Sequence, residues 1–418
     1  MRSAPVVILA AFAAIPITAN AFVYTRYSVN SVRVVDLGTL GGAESHGYDI
    51  NERGDVVGDA QDATGKFNAF MHADGSMVSL HDGSPAFTSA AATSINDSRV
   101  VVGSYTRPSD GVRRAFRYYP GIFVETMNNS VTPELPFTWI ASPTSINASG
   151  QVVGFSQLIP NPSFPPPPDT VDLCYERLPI RWDSVSAAPA RLFCIADPDG
   201  NNTWVDQGMP PMAEDINALG DIVGTDAGES LHSMFVLVSG VRTAVPAPAG
   251  LAELDMWGNP YHSTAAAIND QGWVAGSYGR LSFGSINTAN ARAFVWDGVS
   301  ASAVNIGTLA GDTRSEAIDL NENRMVVGAS SGHAGVYGIN SHAFIWHKDF
   351  GMRSLPPLWF GPLFTTVHND CRAASLNNRK WSTGLVQVTG YCYRSDGLKH
   401  AVRWDVTVTA EISSFPFP

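Results

Sequence analysis

The chain is poor in charge and poor in cysteine. Only 15% of its 418 residues are Asp, Glu, Lys or Arg, and 38 acids against 26 bases leave a net charge of −12. A surface that negative does not neutralise phosphates in series, which excludes a general nucleic-acid binder and disfavours adhesion to an acidic membrane. Long hydrophobic runs are missing after the N-terminus, so no second membrane-spanning helix is expected. The four cysteines lack C-x₂-C spacing, which argues against a Cys₄ zinc site. There is no G-x-S-x-G, no H-E-x-x-H and no phosphate-binding glycine loop.

What is present begins with a leader. Arg2 is followed by the apolar stretch VVILAAFAAIP (6–16) and by Ala19-Asn20-Ala21, a small-x-small cleavage site. Residues 1–21 therefore read as a signal peptide cleaved after Ala21, with an uncleaved anchor as the alternative. Residues 22–418 read as one repeat domain with no membrane span after cleavage. The expected location is secreted, periplasmic or at the cell surface.

Within that domain one phrase occurs seven times: an aliphatic residue, Asn, a short turn and a Val-rich run ending in Gly. The asparagines are Asn51, Asn96, Asn147, Asn217, Asn269, Asn321 and Asn377. The closing glycines are Gly58, Gly103, Gly154, Gly224, Gly276, Gly328 and Gly390. A period near fifty residues made of short β-favouring runs is the signature of a repeat array. Each copy contains four such runs separated by turn residues. The first has a small residue three before the aliphatic one: Gly47, Ala92, Pro143, Ala213, Ala265, Ala317, Ala373. The third carries bulky pairs two apart, such as Phe294/Trp296, Phe344/Trp346, Ile180/Trp182 and Val402/Trp404, which share a strand face. Small residues inside and rings outside suit strands radiating from an axis. The expected fold is all-β, a seven-bladed β-propeller of four-stranded blades, with a β-solenoid as the alternative. RVVDLGTL (33–40) resembles an outermost strand and is expected beside HAVRWD (400–405), closing the ring. The Asn is read as a turn cap and the Gly of I-N-x-x-G as a positive-φ residue. Arg99 and Arg324 occupy that Gly position in two copies, which predicts a change of turn type there.

DLGTLGG (36–42), the I-N-x-x-G-x-V-V-G core (50–58), RAFVWDG (292–298) and HAFIW (342–346) resemble the HAF-repeat family of bacterial extracellular proteins. The likeness covers about residues 33–405. It implies secretion and a repetitive all-β fold, and brings no reaction or catalytic residue with it. Copy three departs from it at LPIRW (178–182), and copy seven through a longer turn.

An exported chain pairs its cysteines. The hairpin register of copy one sets Ser45 opposite Ala60, and the matching places in copy seven are Cys371 and Cys392. That predicts Cys371–Cys392 and, by elimination, Cys174–Cys194.

Alternating strands put the turns between runs one and two, and three and four, on one face. Those turns are short. The opposite face gathers long loops, 125–143, 156–179, 246–263 and 355–370, rich in aromatic residues. Long variable loops on a rigid scaffold are where binding sites collect. Trp139, Trp257, Tyr261 and Trp359 are the candidate ligand platforms there, against a reading in which the rings only pack the loops. The residue four before the aliphatic one opens each inner strand on that face and varies strongly. His46, Glu316 and Arg372 hold this position in three copies and are expected to converge at the channel mouth, with Glu214 and Asp215 near them. DPDGNNTWVDQG (197–208) resembles a calcium loop through Asp197, Asp199 and Asn201, but has Asn202 where the loop needs Gly and Gly208 where it needs Glu. No cofactor is expected, with calcium as the alternative.

The leading functional expectation is a monomeric secreted binding module that uses its long-loop face, its partner an extracellular glycan, protein or peptide. The tight-turn face is expected to be inert. A polysaccharide-acting enzyme, which would need two carboxylates flanking a cleft, is the rival. A structural surface component is the third reading.

Overall fold

The computed structural model describes residues 22–81, 86–120, 125–128, 138–159, 177–184, 188–192, 212–225, 234–251, 262–280, 291–332, 341–358, 370–380 and 382–415. Among them there is no helix. The chain forms seven four-stranded antiparallel sheets arranged in a ring, a seven-bladed propeller.

The chain enters through β1 (Phe22–Gly38), which is set aside for the last blade. Blade 1 is β2 (Gly41–Ile50), β3 (Val56–Asp62), β4 (Phe67–Ala73) and β5 (Ser76–Ser79). Blade 2 is β6 (Ser89–Ile95), β7 (Val101–Thr106), β8 (Arg113–Tyr118) and β9 (Glu125–Thr126). Blade 3 is β10 (Thr138–Ile146), β11 (Val152–Ile159), β12 (Arg177–Trp182) and β13 (Ala190–Arg191). Blade 4 is β14 (Met212–Ile216), β15 (Ile222–Thr225), β16 (Met234–Val238) and β17 (Val241–Ala244). Blade 5 is β18 (His262–Ile268), β19 (Val274–Arg280), β20 (Arg292–Trp296) and β21 (Val304–Gly307). Blade 6 is β22 (Arg314–Leu320), β23 (Val326–Ser331), β24 (Ser341–His347) and β25 (Gly351–Ser354). Blade 7 is β26 (Cys371–Leu376), β27 (Leu385–Tyr393) and β28 (Lys399–Phe415), with β1 as its outer strand.

The small inner residue has a specific reason. In every blade it lies opposite the closing glycine, from Gly47↔Gly58 to Ala373↔Gly390. One residue later each inner strand has a bulge, which drives a carbonyl of the inner strand towards that glycine. A Cβ at Gly58 would overlap the His46 carbonyl, and at Gly390 the Arg372 carbonyl. On the other side the glycine faces the third-strand residue, such as Phe70, Phe116, Phe235, Phe294 or Phe344, whose rings are fully buried. Small residue, glycine and ring thus form one packed unit in five blades, with Ile180 and Val402 in place of the ring in blades 3 and 7.

The repeated asparagines do more than cap turns. Each accepts backbone N–H bonds from its own turn, for example Asn51 Oδ1 from Arg53 and Asp55, both at 3.0 Å. Each then donates its amide to the backbone carbonyl of the next blade's Asn. The bonds run from Asn51 through Asn96, Asn147, Asn217, Asn269, Asn321 and Asn377 back to Asn51, at 3.0–3.3 Å. All seven are buried, so this closed circle ties the blades together where water does not compete.

The turn does not change at Arg99 and Arg324, contrary to the sequence expectation. Both adopt the left-handed φ, +60° and +61°, that Gly54, Gly150, Gly220 and Gly272 adopt elsewhere. Both close the same bond to the Asn carbonyl as those glycines do. Each holds its unfavourable backbone with side-chain contacts on the preceding blade. Arg99 forks onto Asp55, and Arg324 binds Gln271 Oε1 and covers the Trp273 ring.

Ring closure matches the sequence: Val34 pairs with Trp404 and Arg33 with Asp405. The pairing continues further than expected. β27 ends its pairing with β28 at Leu385↔Thr407, yet β1 and β28 stay paired out to Phe22↔Phe415. The result is a two-stranded ribbon leaving blade 7 on the tight-turn side. Its base rests on blade 6, where Tyr27 N donates to Asp349 at 2.8 Å and the Tyr27 ring sits edge-on to His347. Cys371 and Cys392 stand directly opposite in β26 and β27 and form the predicted disulfide. Cys174 and Cys194 lie outside the described residues, as do the leader 1–21 and Asp197, Asp199 and Asn201.

Candidate functional site

Blades 6, 7 and 1 are neighbours in the ring. Their inner strands carry Glu316, Arg372 and His46 at equivalent register positions, opposite Ala329, Tyr391 and Asp59. The structure brings the three together as a crescent at the channel mouth. Arg372 Nη1 meets Glu316 Oε2 at 3.0 Å across the blade 6–7 seam. Across the blade 7–1 seam the His46 ring lies edge-on to Tyr391, with centroids 5.2 Å apart. His46 is also flanked in parallel by Tyr48 and Phe67.

Asp59 organises the blade 1 side. It binds His46 Nδ1 at 2.7 Å and accepts from the Tyr48 hydroxyl at 3.2 Å. A hydrogen on Nδ1 suits the Asp59 carboxylate, and the tautomer that carries it there presents Nε2 as an acceptor. Burial, and then the Asp59 charge, push the Tyr48 hydroxyl far above its ordinary pKa, so Tyr48 remains a donor at all physiological pH. On the blade 7 side Lys399 Nζ lies 5.2 Å from the Tyr391 centroid and 5.4 Å from that of Tyr393. The mouth therefore offers a guanidinium, an ammonium, an imidazole and tyrosine rings on blades 7 and 1, beside the Glu316 carboxylate of blade 6. Arg372 and Glu316 are 38% and 24% exposed, within reach of a ligand.

Asp59, Tyr48, Tyr391 and Lys399 were not singled out from the sequence. A signal existed for two of them. The residue after each closing glycine faces the strand-opening residue and varies as freely: Asp59, Ser104, Phe155, Thr225, Ser277, Ala329, Tyr391.

Asp215 does not join the mouth. It sits next to the Asn ring, where Oδ1 accepts from Ser145 of blade 3 at 2.7 Å and Oδ2 from Ile268 N of blade 5 at 2.9 Å. Asp49 does the same between blades 7 and 2 through Ser375, Ser94 and Ile95. Asp319 reaches Leu376 N at 3.0 Å. Burial, and then the charges of Asp215 and Asp49, push Asp319 up to about 8. Burial likewise raises Asp49 and Asp215. These carboxylates clamp blades to one another. Glu214 lies on β14 of blade 4, away from the crescent's three blades. Among the described residues no group of three or more His, Cys, Asp or Glu is placed to hold a metal.

Trp139 lies on β10, and nothing of its side chain is described. Trp257, Tyr261 and Trp359 fall outside the described residues, as does most of the long-loop face.

No family model matches the chain, and no curated protein matches it in sequence. Several solved structures are similar to the chain. A protein of unknown function from Dyadobacter fermentans DSM 18053 is 12% identical, with a TM-score of 0.42 over 90% of this chain and 99% of that one. YCF48 from Cyanidioschyzon merolae is 10% identical, with a TM-score of 0.40 over 88% and 98%. AofleA from Arthrobotrys oligospora is 10% identical, with a TM-score of 0.35 over 78% and 89%.

Proposed function

We propose that this protein is an exported binding propeller, and that its channel mouth and surrounding long loops recognise an extracellular glycan or peptide. The observation that supports this most is the crescent. At a register position that the scaffold leaves free to vary, three adjacent blades contribute His46, Glu316 and Arg372, joined by Tyr48, Tyr391 and Lys399. Flat rings among fixed donors and acceptors suit sugar hydroxyls and peptide groups. Asp59 is committed to His46 and Tyr48, and Glu316 to Arg372. Such commitments orient side chains for recognition and do not separate an acid from a nucleophile. Trp139, Trp257, Tyr261 and Trp359 extend the same surface in this reading.

Export rests on the leader and is in keeping with the Cys371–Cys392 disulfide, since such bonds persist in oxidising compartments. The sequence motifs place the chain with the HAF-repeat proteins in this proposal.

The test is a glycan and peptide array probed with residues 22–418, followed by titration of the best hit. His46→Ala and Arg372→Ala are each expected to weaken it by about thirtyfold, the usual cost of about 2 kcal/mol for a buried anchor. Unchanged binding in both variants would remove the mouth from the proposal.

A further inference from the structure

The opposite face carries departures from the repeat of its own, and they gather at one edge of blade 1. In the third strand the residue two after the glycine-facing one is Trp182, Trp296, Trp346 or Trp404 in four blades, Tyr118 in blade 2 and Leu237 in blade 4. Blade 1 has His72 there. An imidazole is smaller than an indole and polar, so it does not plug the space that the larger side chains fill elsewhere. Beside it is a cavity of about 370 Å³, lined by Arg53, Asp55, His72, Asp74, Arg99 and Arg403 with turn glycines between them. That volume is in the range of small-ligand sites.

Three guanidinium groups, Arg53, Arg99 and Arg403, and two carboxylates, Asp55 and Asp74, line this cavity. The three are not equivalent. Arg99 is spent on Asp55, at 2.7 and 2.9 Å, and on Asp74. Arg403 is held by Asp405 through Nε and Nη2, leaving Nη1 without a protein acceptor among the described residues. Arg53 donates only its Nε, to the Asp97 backbone carbonyl at 2.9 Å. Among the described residues both of its terminal nitrogens lack a protein acceptor and no carboxylate pairs with it. Burial, and then the Arg403 charge, hold His72 below its ordinary pKa, so the imidazole is neutral and retains both a donor and an acceptor. The turn is also built to stay in place. Gly54 takes φ +84°, and a Cβ there would overlap the Gln387 side chain of blade 7.

We infer that this tight-turn cavity between blades 7, 1 and 2 is a second binding site, for a small ligand bearing an oxyanion, phosphate or carboxylate, received by Arg53, Arg403 and His72. Guanidinium forks match the oxygen geometry of both groups. The site is independent of the channel mouth and stands whether or not the mouth binds a glycan or peptide.

Calorimetric titration of residues 22–418 with inorganic pyrophosphate and, separately, with citrate tests it. Saturable binding of either probe is expected, and which probe binds separates a phosphate source from a carboxylate source. Arg53→Gln is expected to weaken binding about tenfold, because a charge-assisted bond is lost from an exposed side chain whose one bond within the described residues is to the Asp97 carbonyl. His72→Trp restores the repeat's own residue and is expected to fold and abolish binding by filling the cavity. Should it fail to fold, Arg53→Gln decides alone. His46→Ala is expected to leave probe binding unchanged. No saturable binding of either probe, or Arg53→Gln binding as tightly as the parent, overturns the inference.

Discussion

The two ends of the same seven inner strands follow opposite rules. At the tight-turn end every blade places Asn, and the seven side chains join in one closed circle. At the other end, five residues earlier, the blades place His46, Ala91, Ser142, Met212, Thr264, Glu316 and Arg372. A residue whose partner is its own counterpart in the next blade cannot change in one blade alone. A residue that opens onto the channel mouth can. Repetition therefore marks what closes the ring, and variation marks what the ring is free to display.

The contrast can be broken first at the circle. Asn147→Ala deletes the amide that binds the buried Asn217 carbonyl and the oxygen that caps the partly buried Gln151 N. The expected loss is about 3–4 kcal/mol in urea unfolding, because buried backbone groups are left unpaired. A loss below about 1 kcal/mol would show that the circle is incidental. The disulfide is next. Replacing Cys371 and Cys392 with Ala opens a link spanning 21 residues, worth about 3 kcal/mol in the chain-entropy model. The same unfolding assay reads it.

The clamp carboxylates sharpen the contrast through pH. Folded Asp319 holds its proton up to about 8, against 3.8 for the free group. Between those values the unfolded chain binds fewer protons than the folded one, so this group's contribution to stability falls as pH rises from about 4 through 8. Asp319→Asn is expected to remove a decline of about 2 kcal/mol, measured as the difference between parent and variant at pH 5 and pH 6.5. Identical pH slopes would place the Asp319 proton elsewhere. The smallest stability change is expected at the mouth. Arg372→Ala is expected to shift unfolding by less than about 0.5 kcal/mol, since its Glu316 partner is accessible to water. A larger shift would make the mouth part of the scaffold.

Much of the scaffold was legible because it is repeated. Seven asparagines and seven glycines fixed blade number, and the outer-strand character of residues 33–40 fixed closure. The Ser45–Ala60 register carried the first disulfide to Cys371 and Cys392. Arg99 and Arg324 misled because a residue's preference was taken as its conformation. The strained φ survives where a guanidinium gains Asp55 or Gln271 and Trp273. The Asn circle was hidden because its acceptors are backbone carbonyls, which no side chain reports. At the mouth, convergence of His46, Glu316 and Arg372 followed from phase alone. Tyr391 and Asp59 needed the cross-strand register, and Asp215 was misplaced because its bulged strand turns it towards blades 3 and 5. The blade 1 cavity leaves no mark in loop length, because it follows from His72, a substitution within the repeat.

The ribbon of β1 and β28 determines how the ring responds to tension. Its strands are antiparallel, and Phe22 and Phe415 stand side by side at its free end. Pulling those ends apart loads the backbone bonds one rung at a time, starting at the tip. The strands peel in sequence, and no block of bonds shares the load. The peel reaches the base at Tyr27 and Val408, where Asp349, Arg379 and Gly384 add anchors. The ribbon thus acts as an extensible leader that yields at low force, and the first appreciable resistance comes where it meets blades 6 and 7.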